Sequence, residues 1–129
     1  MTQQAINVPG LDHPGGVPAA CRVGPVVATS VIMGFDPGGK EMPADTDSQA
    51  RNAFINLKRI LAAAGLDLGD LVKVTIYVHD EDDRPIVMKH WAATFPNPAS
   101  TPARRTLQYK LRKGWRVQLE ALAVARDAQ

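Results

Sequence analysis

Hydrophobic and polar positions along this chain follow two periods, one helical and one of two residues. Between residues 46 and 64 the apolar side chains fall on one helical stripe, and most charged ones lie off it. The stripe consists of Ala50, Phe54, Leu57, Ile60, Leu61 and Ala64, and the residues off it are Arg51, Asn52, Lys58 and Arg59. Thr46 and Gln49 have capping-box spacing, and Gly65 stands where a helix-ending glycine is expected. The pattern predicts a helix over residues 46–64.

The second period is a strict alternation in the segment LVKVTIYVH, residues 71–79, which is typical of a half-buried strand. One side consists of Val72, Val74, Ile76 and Val78, and the other of Lys73, Thr75, Tyr77 and His79. The acidic run DEDD then predicts the start of a second helix, with Pro85 in its first turn. The apolar face of that helix would consist of Ile86, Val87, His90, Trp91 and Phe95. Three prolines end it, at Pro96, Pro98 and Pro102.

The N-terminal part of the chain has a different composition. Residues 1–19 are rich in Pro and Gly and predict an irregular arm over the surface. ACRVG and PVVATSVIM are short β-branched runs that predict two strands joined by a turn at Gly24-Pro25. Asp-Pro-Gly-Gly, residues 36–39, supplies another turn, and we expect a short extended piece after it.

Two further strands are predicted at the C-terminal end, from RRTLQYKL and WRVQLEALAVA, with residues 112–114 as a hairpin loop. Pairing Leu111 with Trp115 would place Arg104 and Glu120 on one face as diagonal neighbours, roughly 7–8 Å apart. A carboxylate-binding guanidinium and an acid–base group would then share a surface. Pattern alone favours a plain cross-strand ion pair. The tail, residues 126–129, is expected to fray.

The predicted order is therefore β-β-(β)-α-β-α-β-β, without repeats or an internal linker, over a single domain of residues 1–129. Such a chain makes one α+β unit, a mixed sheet with both helices on one face. Apolar residues on the other face would have to be covered, and self-association is the economical way to cover them.

Composition narrows the function classes. The chain is 45% hydrophobic and 22% charged with a formal charge of +2, which is ordinary for a globular protein and too small to imply nucleic acid. The single cysteine, Cys21, excludes an intrachain disulfide framework, and it is interpreted as a small core residue. No apolar run is long enough to span a membrane, and the N-terminus lacks the pattern of a signal peptide. We expect a cytoplasmic protein.

Familiar motifs are absent: the sequence has no Gly-rich phosphate loop and no Cys/His cluster with metal spacing, so no metal site is predicted. The three histidines, His13, His79 and His90, lie on separate elements and are expected to be structural. Basic residues interleaved with two rings in the predicted hairpin leave an RNA-binding ribbon open as an alternative, although a solvated edge is the commoner meaning. They are Arg104, Arg105, Lys110, Arg112, Lys113 and Arg116, with Tyr109 and Trp115.

Three segments carry a specific resemblance: LKRILAAAGLDLGDLVKVTIYV, the tripeptide PAR ending at Arg104, and LEALAV near the C-terminus. With them the chain resembles the RidA/YjgF family of reactive-intermediate deaminases over about residues 15–126. The resemblance implies a chorismate-mutase-like fold assembled as a homotrimer with interfacial clefts. It also implies cofactor-free hydrolysis of imines, formed from enamines such as 2-aminoacrylate, to 2-keto acids and ammonia.

The resemblance also assigns residues. The family's carboxylate-binding arginine falls on Arg104, its glutamate near the reacting water on Glu120, and a pocket serine on Ser30. Other pocket positions depart from the family pattern, since apolar or altered groups replace polar ones. They are Val17 for a tyrosine, Ile32 in place of a polar residue, Met88 for an asparagine and Thr106 for a cysteine. A more apolar pocket is expected.

Three functions follow as hypotheses. The leading one is a 2-iminobutanoate/2-iminopropanoate deaminase-like hydrolase that acts on a small carboxylate-bearing imine. The second is a non-enzymatic trimer that binds small carboxylates. The third is an RNA-binding or RNA-cleaving relative, against which the near-neutral charge weighs.

Overall fold

In a computed structural model, which describes residues 2–126, the chain forms one mixed sheet and two α-helices. The strands are β1 (Gln4–Ile6), β2 (Ala20–Val23), β3 (Val26–Thr29), β4 (Ile32–Met33), β5 (Leu71–Val78), β6 (Ala103–Gln108) and β7 (Val117–Val124). The helices are α1 (Thr46–Ala63) and α2 (Arg84–Thr94). Neither helix of the described part is long and apolar enough to cross a membrane.

The strand order across the sheet is β1-β2-β3-β7-β5-β6, and β4 pairs with β7 alongside β3. The β5–β6 pair is parallel, with α2 lying between the two strands in sequence, and the other pairs are antiparallel. The predicted mixed α+β sheet in a single domain is therefore confirmed.

Both helices pack on one face of the sheet, where the core lies. Val74, Ile76 and Leu119 are fully buried there against the apolar stripe of α1 and against Val87 and Trp91 of α2. Every predicted stripe residue of α1 is buried. Burying a side chain of this size contributes about 1.5–3 kcal/mol, so this face holds the fold together.

Of the two predicted ends of α1, the C-terminal one is confirmed and the N-terminal one is wrong. Gly65 has a φ of 75°, and its N–H and that of Leu66 donate to the carbonyls of Ala62 and Leu61, which makes the predicted glycine stop a Schellman motif. The predicted capping box is wrong, since Asp45 caps the helix by accepting from the N–H of Ser48 at 2.8 Å. Gln49, the supposed capping-box partner, is fully buried instead.

Buried amides on α1 position the chain that follows β4. Asn52, predicted to lie off the buried stripe, is 3% exposed and donates to the carbonyl of Gly34. Asn56 donates to the carbonyls of Met33 and Phe35 at 3.0 Å each. The amides thereby satisfy backbone carbonyls at the end of β4 and in the segment that leaves it. Gly34 has no room for a side chain, because a Cβ there would lie 2.5 Å from the carbonyl oxygen of Gln49.

The predicted C-terminal hairpin is wrong. A tight turn does form, with the N–H of Trp115 donating to the carbonyl of Arg112 at 2.8 Å and Gly114 at a φ of 84°. The strands on its two sides are not neighbours, because β5 lies between β6 and β7 and pairs with both. The local turn was readable in the sequence, and the long-range pairing was not.

Smaller differences concern the arm, one turn and the tail. Residues 1–19 are not wholly irregular, since β1 pairs with β2 along the outer side of the sheet. The turn at residues 36–39 forms, but no strand follows it. A bulge between Leu71 and Lys73 turns Val72 outward, to 46% exposure, away from its predicted companions. Of the predicted tail, residues 127–129 lie outside the described part, and Arg126 is held by ion pairs to Asp67 and Asp70.

The sheet face away from the helices carries an apolar surface, which we call the open-face patch. Its residues, each 37–40% exposed, are Val23, Val26, Leu122 and Val124. They are brought together by the register of β2, β3 and β7, while Val27 and Ala123 beside them point into the core. Cys21 lies half-buried on the same side, not in the core as predicted.

Candidate active site

Arg104 lies on β6, at the free side of the sheet. It pairs in register with the buried Val74, so its side chain is on the helix face of the sheet. Its guanidinium carbon stands 5.0 Å from the centroid of the Trp91 ring on α2, within the range of a cation–π contact. Arg104 is exposed and makes no ion pair among residues 2–126. Its donors are therefore oriented and available.

Thr106 shares this face, two residues further along β6. Its Oγ1 is buried and has no hydrogen-bond partner in the described part of the chain. The neighbouring helix supplies Arg84, whose guanidinium donates to the Thr106 carbonyl at 3.4 Å, and Met88, which is half-buried against the core. Met88 lies between Arg84 and Trp91 on α2, at helical spacing from each. The junction of α2 and β6, which we call the groove, thus carries Arg104 and Thr106 on the strand and Met88 on the helix.

Glu120 lies elsewhere. It is opposite Thr75 in the β5–β7 register, on the open face, where its Oε1 accepts a hydrogen bond from the Tyr77 hydroxyl at 2.5 Å. That bond raises the pKa of Tyr77 above its ordinary value, and burial adds to the effect. The predicted neighbourhood of Arg104 and Glu120 is therefore wrong, because they are on opposite faces with β5 between them. Arg105 is the arginine whose register position faces Thr75 and Glu120.

The remaining assigned residues lie near the junction of β3 and β4. The Ser30 hydroxyl donates to the carbonyl of Pro18 at 2.8 Å, beside the exposed Val17. Ile32 is fully buried in the core and pairs with Leu119, so its side chain cannot line a surface pocket of this chain. That part of the predicted pocket is wrong.

One chain does not assemble these residues into one site. The junction of β3 and β4 and the strand β6 are separated by β7 and β5, a distance of about 14 Å at the usual spacing of neighbouring strands. A small imine cannot touch Arg104 and Ser30 of the same chain. The residues lie in two separate groups, which we call the half-sites, one on β6 and α2 and one around Val17 and Ser30.

A cavity that the sequence gave no sign of adjoins the second half-site. It encloses about 410 Å³, a size typical of ligand pockets, and we call it the aromatic cavity. Its walls include Val31, Phe35, Trp115 and Gln118. These residues come from segments far apart in sequence, so no local motif connects them.

The histidines have local partners and do not meet. The Nε2 of His13 lies 2.8 Å from a backbone carbonyl, the Nδ1 of His79 accepts from the N–H of Leu111, and His90 lies 2.8 Å from a carboxylate oxygen of Asp47. Within residues 2–126 no group of three or more His, Cys, Asp or Glu side chains could hold a metal ion.

The basic residues do not form a ribbon either, because β6 and β7 are apart. Arg104 stacks on Trp91, Arg112 stacks on Trp115 at 5.1 Å, and Arg116 pairs with the buried Asp83 at 2.8 Å. The cations are thus dispersed over separate surfaces.

Comparisons with known proteins identify relatives of this chain. The model of the family described as Endoribonuclease L-PSP matches residues 16–125. The 2-iminobutanoate/2-iminopropanoate deaminase of Escherichia coli K12 is 38% identical over 106 residues, covering 81% of this chain and 83% of that protein. The E. coli protein described as putative reactive intermediate deaminase TdcF is 35% identical over 104 residues, covering 79% and 81%.

Solved structures agree over almost the whole chain. The YjgF gene product of E. coli superimposes with a TM-score of 0.83 at 34% identity, covering 95% of this chain and 99% of that one. RidA from an Antarctic Psychrobacter gives 0.82 at 32% identity, covering 96% and 98%. A family match over most of the chain, relatives above 30% identity and this shared fold together show that the protein belongs to the RidA/YjgF family.

Proposed function

We propose that this protein hydrolyses imines derived from enamines such as 2-aminoacrylate, releasing ammonia and a 2-oxo acid without a cofactor. Two relatives carry names of this kind, the 2-iminobutanoate/2-iminopropanoate deaminase and a putative reactive intermediate deaminase of E. coli. The observation that carries the proposal is Arg104. Its guanidinium is oriented by Trp91 and makes no ion pair with a carboxylate of residues 2–126.

Arg104 suits the carboxylate of a 2-imino acid. A guanidinium presents parallel N–H donors that match a carboxylate in two bonds, and stacking on Trp91 fixes its plane without using those donors. The hydroxyl of Thr106 lies two residues away on the same face, buried and without a hydrogen bond within residues 2–126, and we propose that it donates to the same ligand. By holding the carboxylate, the groove orients the imine carbon bonded to it, which is the carbon that reacts.

The site requires a second copy of the chain. The half-site of Arg104 lacks Ser30, and the open-face patch leaves four apolar side chains in water. In an assembly, the β6 side of one copy would pack against the open face and the β3–β4 junction of the next copy. This contact would bring Ser30 to Arg104 and would cover the open-face patch. We propose the homotrimer that the family resemblance implies, with the site at each interface.

Glu120 is proposed to hold the reacting water. One of its oxygens is taken by the Tyr77 hydroxyl, and the other has no hydrogen bond within residues 2–126. The water oxygen bonds to the imine carbon while the nitrogen gains a proton, which gives a carbinolamine. The hydroxyl proton then moves to nitrogen as the C–N bond breaks, so ammonia leaves and the carbonyl forms. A positioned carboxylate relays these protons.

The walls favour apolar substrates. Val17 is 47% exposed beside Ser30, and Met88 lines the groove of Arg104, so neither half-site offers a polar side chain at these positions. We expect imines with larger apolar side chains to be hydrolysed faster than the imine from 2-aminoacrylate.

The test generates imines in place with an amino-acid oxidase and follows release of the 2-oxo acid, across small, aliphatic and aromatic side chains. Arg104→Lys keeps the charge but loses the two-pronged contact. We expect it to lower kcat/KM by about tenfold to a hundredfold, close to the effect of Arg104→Ala. Arg51→Lys, an exposed arginine on α1, is the matched control and should leave kcat/KM unchanged.

Two other outcomes would replace the proposal. Binding of 2-oxo acids that depends on Arg104, without acceleration of any imine, would favour a carboxylate-binding protein. A complex with RNA at physiological salt that weakens steeply as salt rises would favour an RNA-binding protein. The dispersed cations argue against the second outcome.

A further inference from the structure

We propose that a cavity at the end of α2 binds a neutral sugar ring, separately from the proposed hydrolysis. The cavity encloses about 400 Å³, a size typical of ligand pockets, and we call it the loop cavity. It lies between the last turn of α2, the loop that leads into β6 and the turn before β5. The residues that carry the argument are Phe95 and Pro102 on its apolar side and Thr94, Asn97, Ser100 and Thr101 on its polar rim.

The apolar side of the loop cavity is a fixed surface. Phe95 packs against Trp91, with ring centroids 4.5 Å apart, and Pro102 is buried next to the start of β6. Leu71, at the start of β5, also lines the cavity and is 8% exposed. A sugar ring has a C–H face that is nearly flat and apolar, and removing such a face from water is favourable. The aromatic and proline rings offer that face a matching surface.

The polar rim offers both donors and acceptors. The hydroxyls of Thr94 and Thr101 each donate to a backbone carbonyl at 2.7 Å, so they can only accept from a ligand. The Oδ1 of Asn97 accepts from a backbone N–H at 3.0 Å, which leaves its amide nitrogen to donate. Ser100 uses its backbone N–H within the loop, and its hydroxyl has no partner within residues 2–126. A row of sugar hydroxyls, each of which donates and accepts, satisfies all of these groups.

No charged side chain among residues 2–126 lines the loop cavity. Arg126 approaches it beside Gly69, but its guanidinium is bound by Asp67 at 3.0 Å and by Asp70 at 2.6 Å. A carboxylate would therefore leave water without a cation to compensate its charge. It would also offer no donor to the two threonine oxygens. The cavity thus selects a ligand that is uncharged and rich in hydroxyls.

Titration of the isotope-labelled full chain with the methyl glycosides of glucose, galactose and mannose, followed by amide NMR, tests the assignment. We expect at least one of them to bind in roughly the millimolar range, because a few neutral hydrogen bonds contribute modestly. It should shift the signals of Gly69, Ser100 and Thr101. Tetrahydropyran-2-methanol has the ring without the row of hydroxyls, and the corresponding uronic acid glycoside has the hydroxyls with an added carboxylate. Each should bind at least about tenfold more weakly.

Two variants remove donors from the rim. Ser100→Ala deletes the unused hydroxyl, and Asn97→Asp keeps the accepting oxygen but deletes the amide donor. Each should weaken the binding of the glycoside by about tenfold. Thr2→Ala and Gln4→Glu make the same kinds of change at exposed positions on and beside β1, and they should leave the affinity unchanged. Circular dichroism checks that each variant is folded.

The proposal is overturned if none of the glycosides shifts these signals at concentrations up to about 50 mM. Equal affinity for tetrahydropyran-2-methanol or for the uronic acid glycoside would overturn it too. Wild-type affinity in both Ser100→Ala and Asn97→Asp would mean that the sugar binds elsewhere. Arg104→Ala should bind the glycoside as tightly as the wild type does, and binding that is lost in this variant would belong to the imine site and would refute a separate sugar site.

Discussion

At the scale of single residues, the groove between α2 and β6 contains an unusual buried group. The Oγ1 of Thr106 is buried without a hydrogen bond in the described part of the chain, while Arg104 beside it keeps its donors free. A buried hydroxyl without a partner destabilises the folded state by about 1–3 kcal/mol. Unpaired buried groups are rare in native structures, and the proposed imine ligand would supply a partner for this one.

Thr106→Val separates stability from function. Replacing the hydroxyl by a methyl group removes the polar atom and keeps the branched shape, so we expect the free energy of unfolding to rise by about 1 kcal/mol. The same change should lower kcat/KM for imines, because the ligand loses a donor. Urea unfolding and the oxidase-coupled assay measure the two effects. A fall in both quantities would mean that the hydroxyl already has a partner in the free protein.

The Tyr77–Glu120 pair gives a pH-dependent prediction. The pKa of Tyr77 is raised, chiefly by its bond to Glu120, so the folded state keeps the phenol protonated to higher pH than the unfolded state does. Its stabilising effect is complete below about pH 10 and is lost as the pH rises through the folded pKa. Tyr77→Phe should therefore lower the free energy of unfolding by about 1 kcal/mol at neutral pH, and by less above pH 10.

Urea unfolding of the wild type and Tyr77→Phe at neutral and alkaline pH checks this difference. Tyr109→Phe is the control, because Tyr109 is 61% exposed. A gap between wild type and Tyr77→Phe that widens at alkaline pH would contradict the assigned bond.

At the scale of elements, the patterns within one segment predicted structure well. The stripe of α1 and its stop at Gly65 follow from side chains three and four apart and from one backbone position that favours glycine. The alternation of β5 failed only at Val72, where a bulge shifts the register. Local periodicity reports the burial of each segment and says nothing about which segment lies beside it.

Long-range pairing was the part that the sequence did not reveal. The turn before β7 looked like a hairpin loop, yet β5 inserts between the two strands because its buried side chains fill the centre of the sheet. The error moved Glu120 to the wrong face relative to Arg104. The identity of Arg104 as a site residue came from the resemblance, and the aromatic cavity needed three folded segments.

The turn that precedes β5 contains a hydrogen-bonded carboxylate whose stabilising effect is lost in acid. Asp70 is buried; its carboxylate accepts from the N–H of Asp67, which is the main cause of its lowered pKa, and from Arg126 at 2.6 Å. A lowered pKa stabilises the fold above the unfolded value of about 3.9, and the effect is lost as pH falls through the folded pKa. Asp70→Asn should lower the free energy of unfolding by about 1–3 kcal/mol at neutral pH, since an amide replaces one accepting oxygen.

The gap between wild type and Asp70→Asn should close in acid, which urea unfolding at several pH values measures. Asp82→Asn, an exposed change in the turn before α2, should show no such gap. A difference between wild type and Asp70→Asn that is constant down to strongly acidic pH would exclude the ionic explanation.

At the scale of the whole molecule, the open-face patch and the divided site lead to one expectation. The wild type should sediment as a trimer, and Leu122→Asp should raise the monomer fraction because it places a charge in the buried interface. Activity should fall with the trimer, while the circular dichroism of the monomer stays native. Ala92→Asp, on the exposed side of α2, is the control. An active monomer would refute the shared site.

The short strand β1 has a consequence for how this protein should be handled. It pairs with β2 through Gln4–Arg22, Ala5–Cys21 and Ile6–Ala20, and so occupies backbone groups that would otherwise be open to another chain. An exposed strand edge is a template for aggregation. Removing the first seven residues, or anchoring a bulky purification tag directly against them, would uncover β2 with its free Cys21 and invite insoluble, cross-linked material during expression. Tags are better placed beyond the other end of the chain.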